Sequence, residues 1–337
     1  MTYSGMEKFY LWSIKILLFI VPFLPLYVSG TMFFPYITGR NFLFRILVEI
    51  AFILWLGLMA LNREYRLRFS KLSGAVLAFG VIVFIADLFG ANFYHSFWAN
   101  FERMEGYLMI FHMILFFIIT SSIFRKKDWG IFAHLVILGS LFVGLYGLLQ
   151  KLGVFISIQG GVRVDGTIGN PAYLAAYLML TLFITLILFW NISETWKKYA
   201  YAGVMLFELL IIYFTATRGV ILALLSGGIL FMILFLFMSR NEIVWKLERK
   251  IAAGLLTLFI IIPIGFYLLR DASFITNSPV LSRFSSLSLT ERTTQSRFLI
   301  WQMAWQGVKE QPLLGWGQEN FNLIFNKYYN PELWRQE

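Results

Sequence analysis

The chain has 337 residues, 59% of them hydrophobic and only 14% charged, with 36 Phe and no Cys. Ordinary soluble domains are about 45–50% apolar and about 25% charged, and a soluble domain of this size cannot hide so much apolar surface. A soluble globular enzyme, a disordered chain and a disulfide-stapled secreted scaffold are therefore excluded, and an all-α polytopic membrane protein is expected. Thiolate chemistry is excluded with the cysteines, and the net charge of +10 reads as a topology signal, not as affinity for nucleic acid.

Nine segments approach the ~20 apolar residues that a membrane helix needs. They fall at residues 9–28, 42–61, 72–90, 105–123, 130–150, 171–190, 197–214, 219–239 and 251–269. The runs are unbroken, which argues against the ~10-residue alternating strands of a membrane barrel. The four loops after even-numbered segments, with the third carried on through Lys198 into the start of the seventh segment, hold 13 Lys and Arg in 35 residues, whereas the four after odd-numbered segments hold five in 51. By the positive-inside rule the N-terminus is expected in the cytoplasm and everything after the ninth segment on the far side. The first segment is too long for a signal-peptide core and contains Pro22 and Pro25, so it reads as a retained span. Trp12, Trp98, Trp190 and Trp196 fall near segment ends, at the depth where indole rings settle.

Residues 1–269 are thus expected to form a transmembrane bundle and residues 270–337 the first part of a large external loop. The latter holds seven Lys and Arg and six Asp and Glu. Within it, residues 290–311 read as an amphipathic helix with Phe298, Trp301, Trp305 and Val308 on one face. Pro312 ends that helix, and Gly315-Trp316-Gly317 follows as a turn.

A reaction on the far face has no ATP to draw on and needs a pre-activated donor. A lipid diphosphate sugar is one, and its leaving group demands fixed cations near the bilayer boundary. Arg suits this better than Lys because its planar fork binds phosphate oxygens in pairs. Arg218 lies in a four-residue connection, Thr215-Ala216-Thr217-Arg218, and is held at the boundary by chain connectivity. It reads equally as a site residue or as an interfacial anchor. Arg297 shares a helical stripe with Trp301 and Val308, with Glu291 or Glu310 as ordinary ion-pair partners and Arg292 as a weaker competitor. Arg103 and the nearby carboxylates Glu102 and Glu105 occupy an outer loop, where the plainer reading is a solvated helix start. The loop from Arg163 to Pro171 ends in Asn170-Pro171, a helix-start signal whose exposed N-terminus also suits an anion. Arg45 and Glu49 are four apart and can pair on one helix face. Lys15, Asp87, His112, His134 and Glu208 stand isolated in the spans, the residue types a proton- or ion-coupled transporter would use. No phosphate-binding, dinucleotide-binding or metalloprotease motif is present, and the three histidines suggest no metal site.

Taken together, Gly166-Thr-Ile-Gly-Asn-Pro-Ala-Tyr-Leu-Ala175, Thr215-Ala-Thr-Arg-Gly219, Arg297-Phe-Leu-Ile-Trp301 and Pro312-Leu-Leu-Gly-Trp-Gly317 resemble the bacterial O-antigen ligase and polymerase family. The resemblance spans residues 97–321. It implies a multi-pass glycosyltransferase of the bacterial inner membrane, at work in lipopolysaccharide and cell-envelope synthesis, with a large periplasmic loop. Such an enzyme moves a glycan from undecaprenyl diphosphate to a hydroxyl of lipid A core, a growing polysaccharide or a protein, without metal or other cofactor. Under the resemblance Arg218 and Arg297 become the catalytic cations, and Arg103, Glu105, Arg163, Asn170 and Arg292 the candidate substrate-binding residues. The family also carries a loop histidine and further spans beyond the Pro-Leu-Leu-Gly motif, whereas no histidine follows His134. A member truncated within its large loop is therefore expected. Ligase and polymerase share these motifs. A bicarbonate-like solute transporter and a non-catalytic envelope scaffold are the readings from other classes.

Overall fold

The computed structural model describes residues 5–100, 103–158, 163–239, 246–278, 280–285 and 292–335. Fourteen α-helices and no strands are found among them. In chain order they are α1 Gly5–Ile20, α2 Thr38–Leu61, α3 Lys71–Leu88, α4 Phe93–Trp98, α5 Tyr107–Ile123, α6 Lys126–Lys151, α7 Pro171–Asn191, α8 Thr195–Phe214, α9 Arg218–Met238, α10 Lys246–Leu268, α11 Ser273–Thr276, α12 Leu281–Ser285, α13 Arg292–Glu310 and α14 Phe321–Lys327. All nine segments expected to span are helical, with ends displaced by a few residues. Seven helices among the described residues are long and apolar enough to cross a membrane, so the expected count of nine is not reached. α5 is an apolar helix of 17 residues, and α8 carries Lys197, Lys198 and Glu208 within its 20 residues. The first span is a composite: α1 tightens into a 3-10 turn over Val21–Leu26. Pro22 and Pro25 cannot donate the backbone bonds that would continue the α-helix.

The chain divides into two compact units, residues 1–139 with 288–337, and residues 140–287. The division falls inside α6. In the first unit the core is a stripe from each of three helices: Ile14 and Leu18 of α1, Val48, Ala51 and Trp55 of α2, and Leu115, Ile119 and Ile123 of α5. The three- and four-residue spacings put each set on one helix face. The Trp55 indole donates to the Tyr65 carbonyl at 3.0 Å, so its polar edge is satisfied in the interior. The outward faces of the same helices, such as Ile53 and Phe111, are exposed. A bilayer would cover them, leaving packing and polar contacts to hold the helices together.

The charges that stand isolated in sequence acquire partners across long separations. Lys15 of α1 pairs with Asp128 of α6 at 2.8 Å. His112 Nδ1 donates to the Leu108 carbonyl at 2.7 Å, while Nε2 meets Glu49 at 2.9 Å. Glu49 therefore pairs with His112, and Arg45 turns instead to the carbonyls of Arg103 and Met104. His134 bonds the Gly130 carbonyl one turn back. In the second unit Glu208 of α8 is fully buried. Its Oε1 accepts hydrogen bonds from Ser140 of α6 and Thr181 of α7, both at 2.7 Å, joining three helices.

The turn after α13 is fastened to the end of α3. The Gln318 amide donates to Asp87 Oδ1 at 2.7 Å, and the Ala91 amide donates to the Trp316 carbonyl at 2.9 Å. Ser96 donates to the Gln318 carbonyl, and Asn320 donates to both Ser96 and the Trp316 carbonyl. Gly317 has φ +81°, and a Cβ there would lie 2.6 Å from Ser96 Oγ. Both facts require glycine. Gly317→Ala should cost about 2 kcal/mol and lower the midpoint of thermal unfolding in lipid or detergent by several degrees. An unchanged midpoint would contradict this fastening.

Candidate functional site

The second unit gathers cations at one end of its helices. The α8–α9 connection, Thr215 to Thr217, is buried, and Ala216 sits at φ +48°, a conformation that costs non-glycine residues energy and persists only under outside constraint. Arg163, from the α6–α7 connection, supplies part of it. Its Nε donates to the Thr215 carbonyl at 2.9 Å, and a terminal nitrogen donates to Thr217 Oγ1 at 3.2 Å. Val164 N donates to the Phe214 carbonyl at 3.3 Å. The two connections are thus stitched together, and Arg218 opens α9 beside them.

The α6–α7 connection has its own anchor. Buried Asp165 accepts hydrogen bonds from Gln150, Ser157 and the Ile158 amide at 2.6–2.9 Å. Gln150 Oε1 in turn accepts from the amides of Asp165 and Gly166. Asn170 caps α7, its side-chain oxygen accepting from Ala172 N at 2.8 Å, with Pro171 as the first helical residue. That is the helix-start reading of the sequence, and it commits the Asn170 carbonyl oxygen to the backbone.

Electrostatics brings a third arginine into view. The Arg163 guanidinium is held below the usual arginine range, first by burial and then by the positive charges of Arg283 and Arg218. Arg283 lies on α12 and was missed in the sequence reading. The signal was available, since Arg283 is one more cation beyond the last apolar segment.

Apolar space lies along α9 in the same unit, and Arg270 is the arginine that lines it. A cavity of about 350 Å³ is lined by Tyr213, Ile221, Leu222, Pro263 and, from α12, Leu281 and Phe284, the neighbours of Arg283. A second, of about 680 Å³, shares Tyr213, Ile221 and Leu225 and continues past Leu186, Phe231 and Phe259. Its lining is apolar side chains and glycine, apart from the Tyr213 hydroxyl. The cavities follow α9 away from Arg218.

The other candidates lie in the first unit and are placed differently. Arg103 stacks its guanidinium over Phe34 at 5.0 Å, and its carbonyl accepts from Asn41 and Arg45. Glu105 accepts from Asn41 at 3.2 Å. These contacts build a loop. Glu102 and Glu291 lie outside the described residues. Arg292 and Arg297 are exposed on α13. Glu310 is taken by Lys327 at 2.6 Å and by the Tyr328 hydroxyl, whose hydrogen bonds hold its carboxyl below the ordinary glutamate range.

These features define an all-α, multi-helix membrane protein, with seven helices among the described residues long and apolar enough to cross a membrane. Residues 202–337, about two fifths of the chain, match the family described as O-antigen ligase. No curated protein and no solved structure matches the chain. The matched segment contains Arg218, Arg283, Arg292 and Arg297, whereas Arg163 and Asn170 precede it.

The geometry separates scaffold from site. Asn170→Ala should cost about 1 kcal/mol through the lost cap and lower the thermal midpoint by a few degrees. Glycan transfer, measured below the transition on the folded fraction, should be nearly unchanged. A loss of transfer at unchanged stability would make Asn170 a binding residue instead.

Proposed function

We propose that the protein transfers a glycan from undecaprenyl diphosphate to an acceptor hydroxyl on the far face of the bacterial inner membrane, as an O-antigen ligase does. The observation that carries the proposal is the stitching of Arg163 onto the connection from which Arg218 opens α9, in the unit that also holds the apolar cavities along α9, one of them lined in part by Arg270. A polyprenyl diphosphate has this distribution of character, with concentrated negative charge at one end and a long hydrocarbon at the other. The arginines take the diphosphate, and the grooves along α9 take the first isoprene units.

The chemistry follows from the donor. The acceptor oxygen attacks the anomeric carbon and the bond from that carbon to the phosphate oxygen breaks. Undecaprenyl diphosphate leaves with an added negative charge, and the acceptor hydroxyl loses its proton as the new glycosidic bond forms. Charge grows on the departing phosphate in the transition state. Fixed guanidiniums aimed there lower the barrier without reorganising, and their forked donors match phosphate oxygens. Arg218 is the principal catalytic cation because its short, buried connection fixes where it starts. Arg163 both binds and positions, since it also holds the Thr215 carbonyl. Arg297, exposed on α13 and within the matched segment, is a further cation for the reaction. Arg292 is a weaker contributor on the same helix. Arg103 and Glu105 shape the loop between α4 and α5 and act on substrate through that loop.

The transferase reading is preferred to the transporter one because one oxygen of Asp87 and one of Glu208 accept hydrogen bonds that join segments. In the full-length protein, reconstituted with lipid-linked donor and acceptor, Arg218→Ala and Arg283→Ala should each lower transfer by about 10²–10³-fold, the usual loss on removing one donor to a developing oxyanion. Arg218→Lys should recover only part, since an ammonium lacks the fork. Transfer at the wild-type rate in both alanine variants would refute the assignment.

A further inference from the structure

The amphipathic pattern of α13 is real, but the face it buries is the other one. Met303 and Gly307 are the buried residues, and Gly307 approaches Ile324 of α14 so closely that a Cβ would lie 2.7 Å from it. The aromatic face points outward instead: Phe298 is 51% exposed, Trp301 63%, Trp305 59% and Val308 46%. At 100° per residue, these four lie within one arc of the helix, and Met303 and Gly307 lie opposite. Arg297 flanks the aromatic arc on one side and Lys309 on the other. Leu313, 95% exposed just beyond the helix, extends the apolar surface. A contiguous aromatic patch of this size on a folded protein marks an interaction site.

Three observations say what covers it. First, the Trp316 indole donates to the Gly307 carbonyl at 3.0 Å, and the Trp316–Gln318 turn is bonded to Asp87 and Ala91 at the end of α3. The C-terminal end of α13 is therefore tied to the end of a membrane-spanning helix. Second, the exposed face is built from Trp, Phe and Val, and the indole ring is the side chain that prefers the bilayer–water boundary. Third, the flanking residues are cationic, which suits anionic head groups and lets long side chains reach from an immersed face to the phosphate level.

We propose that α13 lies in the outer membrane interface, with Phe298, Trp301 and Trp305 among the lipid acyl chains. The helix then holds Arg297 at the depth of the lipid phosphates, which is also the depth of a lipid-linked diphosphate. This last consequence rests on the proposed function. The immersion of the helix does not.

The absence of cysteine allows a direct test. Single cysteines replacing Trp301, Trp305, Gln302 or Gln306 are spin-labelled in the full-length protein. The protein is reconstituted in vesicles of phosphatidylethanolamine and phosphatidylglycerol. Collision with oxygen, which concentrates in lipid, is compared with collision with a water-soluble nickel chelate. Labels at 301 and 305 should favour oxygen, and labels at 302 and 306 the nickel chelate. Preference for nickel at 301 and 305 would place the face in water. Exclusion of both reagents there would place it against protein. Either result overturns the proposal. A second measurement separates this idea from the catalytic one. Trp301→Glu with Trp305→Glu should lower glycan transfer by about ten- to a hundredfold, as a displaced substrate-positioning group does, with the thermal midpoint unchanged. Oxygen-favouring labels together with unimpaired transfer would leave the helix in the interface and overturn its role in placing Arg297.

Discussion

The stitching of the α6–α7 connection to the α8–α9 connection is the constraint around which this end of the second unit is organised. Arg163, Arg218 and Arg283 come from three separate stretches of chain, and nothing in their local sequences requires them to meet. Cations brought together at the end of an apolar bundle oppose folding unless other contacts hold them there. Those contacts are visible. Arg163 is bound to the Thr215 carbonyl and to Thr217, its loop is locked by Asp165 and Gln150, and Glu208 ties α6, α7 and α8 below it. Under the proposed function, these contacts preorganise the cations for an anionic head group.

The grooves along α9 complete the match to an amphiphilic donor. A site for a soluble phosphate ester would need only the cations. A site for hydrocarbon alone would need only the grooves that run from Tyr213 past Phe231 and Phe259. Under the proposed function, their sharing of one unit suits a lipid with an anionic head. The first unit answers a different need. Its fastening of Trp316–Gln318 onto α3 sets the level of α13 relative to a span, so a segment outside the bundle is held in register with the membrane.

Much of this was legible in the sequence, for identifiable reasons. Long apolar runs survive translation into helices because the bilayer imposes their length, and Asn170-Pro171 is a cap whose chemistry is local. Arg218 stood out because a connection of four residues leaves it nowhere else to go. Arg283 did not, because it meets Arg163 only through tertiary folding, 120 residues away along the chain. The same limit hid the partners of Asp87 and Lys15, which are bonded to Gln318 and Asp128. The direction of α13 was left open by the sequence for another reason. A helix with aromatics on one face and Met303 and Gly307 on the other offers two surfaces to bury, and periodicity finds a face without saying what it faces. Arg45 and Glu49 share a helix face as their spacing implies, but their hydrogen bonds go to the carbonyls at 103 and 104 and to His112 of α5.

The central claim is that the three arginines hold the diphosphate of a polyprenyl lipid. The most direct test is equilibrium binding of undecaprenyl diphosphate, undecaprenyl phosphate and undecaprenol to the full-length protein at two salt concentrations. The three ligands share a hydrocarbon chain and differ only in head-group charge. The account predicts that affinity falls in that order, and that the difference between the diphosphate and the alcohol narrows as salt screens the cluster. Equal affinity for all three, independent of salt, would show that the protein recognises the hydrocarbon alone and would contradict the account.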